Sequence, residues 1–230
     1  MVPFGSVASE LWALLGPPVV QRRDDWLIDL ERRLRELEGQ VKGFRFDDLG
    51  QNQQFVSAAL VATQAALRTH QQEKLSALKN AVANVALGNE QDADRQQQFL
   101  ALVDRFTATH LVLLHFFKDP AGYCKAEGKA VPNVPLSPQK LKVYDLIRGA
   151  MPKLVEAAKS TFADRTAAAF QFIELVLRDL VSAKLIALDP LNETWSVPKF
   201  NGDPRPTPVK PLITHLGEDF LSFITEPDAK

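Results

Sequence analysis

Cysteine is nearly absent from this 230-residue chain: Cys124 is the only one, so no disulfide can form within it. A single thiol fits a reducing compartment better than a secreted scaffold, and a cytoplasmic location is the expectation. An excess of either charge is also missing, with 27 Lys and Arg against 28 Asp and Glu for a net charge of −1. No global positive field is available to hold a phosphate backbone. Long apolar runs are missing too. The uncharged apolar stretch Phe106 to Phe117 is too short to span a bilayer and reads as a buried core helix. Neither GxGxxG nor GxxxxGK[ST] occurs, which removes the common phosphate-cradling loops. HExxH is likewise absent. His110 and His115 lie five apart and would face different sides of one helix, so no metal or cofactor is expected.

What the chain does contain is helical periodicity. The start, MVPFGSVASELWALLGPPVV, lacks a basic leader and is interrupted by Glu10; it reads as a short docking helix ended by Pro17–Pro18, not a signal. After the prolines, Leu27, Leu30, Leu34, Leu37 and Val41 recur at spacings of 3, 4, 3 and 4, an a/d seam over two heptads. Two readings stay open: a helix packed on its own domain, and a self-association seam made by those five residues. A second helix over roughly 51–69 presents Ala58, Ala59, Ala62, Ala65 and Ala66, small enough for a neighbour to approach closely. A third over 72–87 carries Leu75, Leu78, Val82 and Val85, with Gly88 suited to its C-cap. Asn80 and Asn84 sit one turn apart on it, either as a buried pair bonded to a neighbouring helix or as solvent-facing amides. From Asp92, Phe99, Val103, Phe106, His110, Leu114 and Phe117 mark one long helix or two broken near Thr107.

Residues 119–137 hold two glycines and three prolines without periodicity and read as a linker, with Cys124 an accessible thiol on it. Ser137–Pro138 then looks like an N-cap and N1 pair opening a helix to about Gly149. A short helix after Pro152 and a long one over 164–184 follow. ETWSV and PVKPLIT read as hairpin strands joined by PKFNGDPRPT, and Thr214 caps a final helix. The fold class expected is therefore mainly α: an N-terminal helical bundle (1–118), the linker (119–137), and a winged-helix-like α+β unit with a small β-hairpin (138–230).

Two stretches resemble known families. Ile213-Thr214-His215-Leu216-Gly217, followed by Phe220 and Leu221, resembles the strand-to-helix ending of MarR- and PadR-like winged helices. Leu180, Lys184, Leu185 and Ile186 match the helix-to-strand step of those families, with Lys184 where they usually have Gly. In the N-terminal half, QRRDDW, EKLSALKNAVAN and LVDRFTATHLVLL are similar to uncharacterised bacterial helical proteins, some resembling abortive-infection (phage-defence) components. Members of that group often carry a Gly-rich, membrane-associated N-terminus, which this chain lacks. This second resemblance implies no activity and no catalytic residue.

The winged-helix resemblance implies either of two uses. One is protein docking, in a non-enzymatic interaction or assembly protein with a protein partner or self-association. The other is a DNA-binding regulator, whose contacts would be Arg178 on the recognition helix and Lys199, Arg205 and Lys210 on the wing. Charge separates the two poorly. Residues 138–230 hold 12 basic and 12 acidic side chains, and the wing nets +2 from Lys199, Arg205 and Lys210 against Asp203.

Overall fold

The computed structural model describes residues 4–88, 92–126, 128, 141–142, 147, 165–187, 194–195 and 212–227. Mainly helical architecture is what it shows. Helix α1 (Phe4–Gln40) is followed by a 3-10 turn (Phe46–Gln51), then α2 (Gln53–Leu67), α3 (Gln72–Ala86), α4 (Ala93–Arg105), α5 (Ala108–Lys118) and α6 (Pro120–Ala126). Strand β1 (Leu141–Lys142), helix α7 (Arg165–Ser182), strand β2 (Thr194–Trp195) and helix α8 (His215–Ile224) complete the described elements. The chain divides into two compact units, residues 1–107 with 222–230, and residues 108–221. The first unit ends at the helix break at Phe106–Thr107, and the last residues belong with it.

In the first unit α1 runs unbroken through Pro17 and Pro18, so the expected helix start after the prolines is corrected. From Trp26 onward α1 is held by packing. Leu30, Leu34 and Leu37 are buried, and Trp26 donates its indole N–H to Thr63 Oγ1 of α2 at 3.0 Å. The small face of α2 (Ala58, Ala62, Ala65, Ala66) and Leu78, Val82 and Val85 of α3 are buried as their periodicity predicts. Asn52 caps α2 by accepting from Phe55 N–H, and Gly88 ends α3 at a positive φ of 68°. Lys79 of α3 reaches Asp29 of α1 at 2.6 Å. Burial pushes the Asp29 carboxyl up, but hydrogen bonds and charge from Lys79 and Arg32 outweigh it and hold it below the usual aspartate range.

The tail joins this unit. Phe223 packs on Phe99 of α4 with ring centroids 5.5 Å apart, and Glu226 pairs with the buried Arg33 of α1 at 2.8 Å. Asn80 and Asn84 of α3 donate to the carbonyls that end α8: Asn80 to Ile224 at 3.1 Å, Asn84 to Phe223 and Thr225 at 3.0 and 2.9 Å. The two amides are thus a cap for another helix, not a solvated pair. An α-helix leaves its last four carbonyls without intrahelical donors, and side chains 140 positions away in sequence supply them here.

In the second unit α7 ends in a Schellman turn. Leu185 N–H bonds to Leu180 O at 3.0 Å and Lys184 N–H to Val181 O at 2.9 Å, with both leucines fully buried. The turn places Lys184 at φ 61°, the left-handed conformation that a β-carbon makes costly. Lys184→Gly is therefore expected to stabilise this unit by about 0.5–1 kcal/mol and to raise its melting temperature by a few degrees in a calorimetric scan. An unchanged or lower melting temperature would contradict the argument.

Beyond the turn, Ile186 and Ile213 form an antiparallel bridge, and Leu212 N–H bonds to Phe117 O at the end of α5. Two expectations change, and one pairing is new. Leu141–Lys142 form a strand where a helix from Ser137 to Gly149 was expected. Thr194–Trp195 pair with that strand, Leu141 against Trp195, and most of the expected partner segment PVKPLIT lies outside the described residues. The linker begins with a helix, α6, in which Cys124 is fully buried, so it is no accessible thiol. Long-range pairing overrides the local capping signal in the first case, and core packing places the thiol in the last. The helix after Pro152, the loop joining the expected hairpin strands, and residues 129–140 lie outside the described residues.

Candidate functional site

Helix α7 carries the surface that the winged-helix resemblance singles out. Its apolar positions Ile173, Val176 and Leu180 are buried, which turns Gln171, Phe172, Leu175, Arg178 and Ser182 outward. Leu175 is 57% exposed and Phe172 36%. Arg178, the one expected DNA contact within the described residues, pairs with Glu174 one turn earlier. Lys199, Arg205 and Lys210 lie outside the described residues. The outward face of α7 thus combines two large apolar side chains with an exposed guanidinium paired to a carboxylate of its own helix, for a local charge near zero.

The two segments that carry that resemblance come together in space. Thr214 caps α8 by accepting from Gly217 N–H at 3.0 Å, and the same hydroxyl donates to Lys184 O at 2.6 Å. Gly217 lies so close to the Schellman turn that a β-carbon on it would stand 2.2 Å from Leu185 O. The helix-end turn, the Ile186–Ile213 bridge and the start of α8 are therefore one built junction. It fixes the end of α7.

The seam on α1 is a different matter. Leu30, Leu34 and Leu37 are taken up by the core of their own unit, Val41 is half-buried, and only Leu27 is open, at 44% exposed. The five residues do not form a free face. The larger unexpected surface lies before them. Leu11, Trp12, Leu14, Leu15, Val19 and Val20 are all exposed on the first half of α1. Sequence reading stopped the helix at Pro17–Pro18 and so split this surface from the stripe that continues it.

Tests for chemistry give little. Among the described residues no group of three or more His, Cys, Asp or Glu gathers to hold a metal ion. His110 is buried on α5, with its Nε2 3.4 Å from Asp179 Oδ2 of α7, while His115 on the same helix is exposed. A buried imidazole against one carboxylate ties two helices together. No single described helix is long and apolar enough to cross a membrane. Comparison with protein-family models, with curated proteins and with solved structures finds no match.

Proposed function

We propose that the chain is a non-enzymatic interaction and assembly protein whose second unit docks a protein partner through the outward face of α7. The observation that carries this reading is the composition of that face. Phe172 and Leu175 offer apolar area, while Arg178 is paired within its own helix. Affinity for nucleic acid comes from cations free to meet phosphates, and a guanidinium already held by Glu174 contributes little of it. Protein interfaces favour the opposite mixture, aromatic and aliphatic anchors with few free charges at their centre. The winged-helix form of this unit belongs to the same proposal. It is supported by the junction of the 180–186 and 213–221 segments and by the Thr214 cap. The resemblance of the N-terminal half names phage defence as the setting in which to look for the partner.

The test is fluorescence anisotropy of the full chain on mixed-sequence duplex DNA from about 50 to about 300 mM salt. No binding is expected at about 10 μM protein in the lowest salt. Binding that weakens steeply with salt would overturn the reading. It would put in its place a DNA-binding regulator with Arg178, Lys199, Arg205 and Lys210 as contacts.

A further inference from the structure

We propose that the groove of the first unit which holds the end of α8 is a receptor for helix C-terminal ends, and that the chain's own tail, Phe223 to Glu226, is its resident competitor. A partner protein's helix that ends in an aromatic residue, with a carboxylate three positions later, displaces the tail. This goes beyond docking on α7 and stands on the other unit.

Three kinds of contact read the tail. Asn80 and Asn84 donate to the carbonyls of residues 223–225, groups that every helix end presents whatever its side chains. Phe223, buried, seats its ring against Phe99 of α4. Glu226 stays open, its side chain 69% exposed, and meets Arg33 of α1 at 2.8 Å. The amides are blind to sequence. The ring and the carboxylate supply the selectivity.

The helices that line this groove are tied to one another without the tail. Trp26 of α1 bonds to Thr63 of α2, and Lys79 of α3 to Asp29 of α1. Arg68 of α2 bonds to the Asp104 carboxylate of α4, and Lys74 of α3 to the Asp104 carbonyl. The polar groups that read the tail also keep a partner when it leaves. Arg33 faces Glu36 of its own helix at 3.4 Å as well as Glu226. Asn84 donates to Asn80 O at 3.0 Å within α3. A buried cation or amide stripped of its last partner would lock the tail in place through the cost of standing unpaired. Neither Arg33 nor Asn84 is left that way. What departure exposes is the apolar seat at Phe99, so the groove trades one occupant for another and does not stand empty. A tethered segment competes at an effective concentration on the order of millimolar. The tail therefore excludes weak binders and yields to a better-matched helix end, which is the behaviour of an autoinhibitory contact.

The test is a fluorescein-labelled peptide of residues 215–230, titrated with the full chain. Wild-type protein should bind it weakly, because the tethered tail holds the groove. Glu226→Lys sets like charges together at Arg33 and should raise the affinity about tenfold. Phe223→Ala should raise it at least 100-fold. The same peptide carrying both changes should bind none of the three proteins. Amide hydrogen exchange on the wild-type chain gives a second reading that needs no variant. The N–H groups of Phe223, Ile224 and Thr225 should exchange by local opening, at least 100-fold faster than those of Leu78 to Val85 in α3. Equal affinity of the peptide for all three proteins would overturn the proposal. So would tail amides that exchange only as α3 does, because the tail would then be a fixed part of the core.

Discussion

Gly217→Ala should destabilise the second unit by about 3 kcal/mol and lower its melting temperature by roughly 10 °C. The added β-carbon would lie 2.2 Å from Leu185 O and 2.7 Å from Ile213 Cγ1. The isoleucine contact could be relieved by a rotamer change. The carbonyl cannot move freely, because it accepts from Thr214 N–H at 3.0 Å and sits in the turn that Lys184 and Leu185 build. Relief therefore requires α8 to lift from the end of α7, which breaks the Thr214 bridge between Lys184 O and Gly217 N–H. Glycine also stands here at the third helical position, where a capping box would place Glu or Gln. That the favourable side chain is missing follows from the space. Gly122→Ala is the internal comparison. Its β-carbon would meet the carboxylate of Asp119, the far end of a side chain that can swing away at about 1 kcal/mol, the cost of a lost cap. Calorimetry on the two variants decides the matter. Equal, small shifts would show that the junction yields and that Gly217 is not needed for close approach.

Positions read locally were the legible ones. Thr214 as N-cap, Gly88 as C-cap and the small face of α2 each follow from residues within one or two turns. The break at Thr107 was one of two readings, and Phe106 in extended conformation decides it. Lys184 is the most instructive of these. The resemblance marked it as a departure from Gly, and the structure puts it at the single positive φ among the described non-glycine residues. What local sequence could not give was partner choice. The heptad spacing of Leu30, Leu34 and Leu37 is the same whether the face meets its own bundle or a second chain. Only the burial of those leucines separates the two. Proline was misleading for the opposite reason. As a helix breaker it argued for an end at Pro17–Pro18, but α1 continues helical through both. The exposed surface on α7 was half legible. The resemblance placed Arg178 outward on the recognition helix, whereas Phe172 and Leu175, apolar by type, gave no sign that they face outward too.

Asn84→Asp is the substitution expected to act most strongly in the first unit, for about 3 kcal/mol near neutral pH. Asn84 is buried, and its amide nitrogen lies within 3.0 Å of Phe223 O, Thr225 O and Asn80 O. Every one of these atoms is an acceptor, so the position demands N–H donors. Aspartate has the same shape and offers none when ionised. It would also set a negative charge at the negative end of the α8 dipole. Asn84→Ala removes the donors without adding the charge and should cost about 2 kcal/mol. Asn80→Ala, at a half-buried position with one such bond, should cost about 1 kcal/mol. Acid distinguishes the mechanisms. A carboxyl introduced here would have a folded pKa above its unfolded value of about 3.9. The folded state then binds the proton more tightly, and stability falls as pH rises from the unfolded to the folded pKa. The Asn84→Asp deficit should accordingly shrink towards that of Asn84→Ala as pH is lowered to about 4, because the neutral acid carries an O–H donor. Denaturant unfolding of the three variants at pH 4 and pH 7 measures this. A deficit that is the same at both pH values would mean that the aspartate side chain had turned out to solvent. The tail would then be held by Phe223 and by the pairing of Glu226 with Arg33, and the amide pair would be secondary to them.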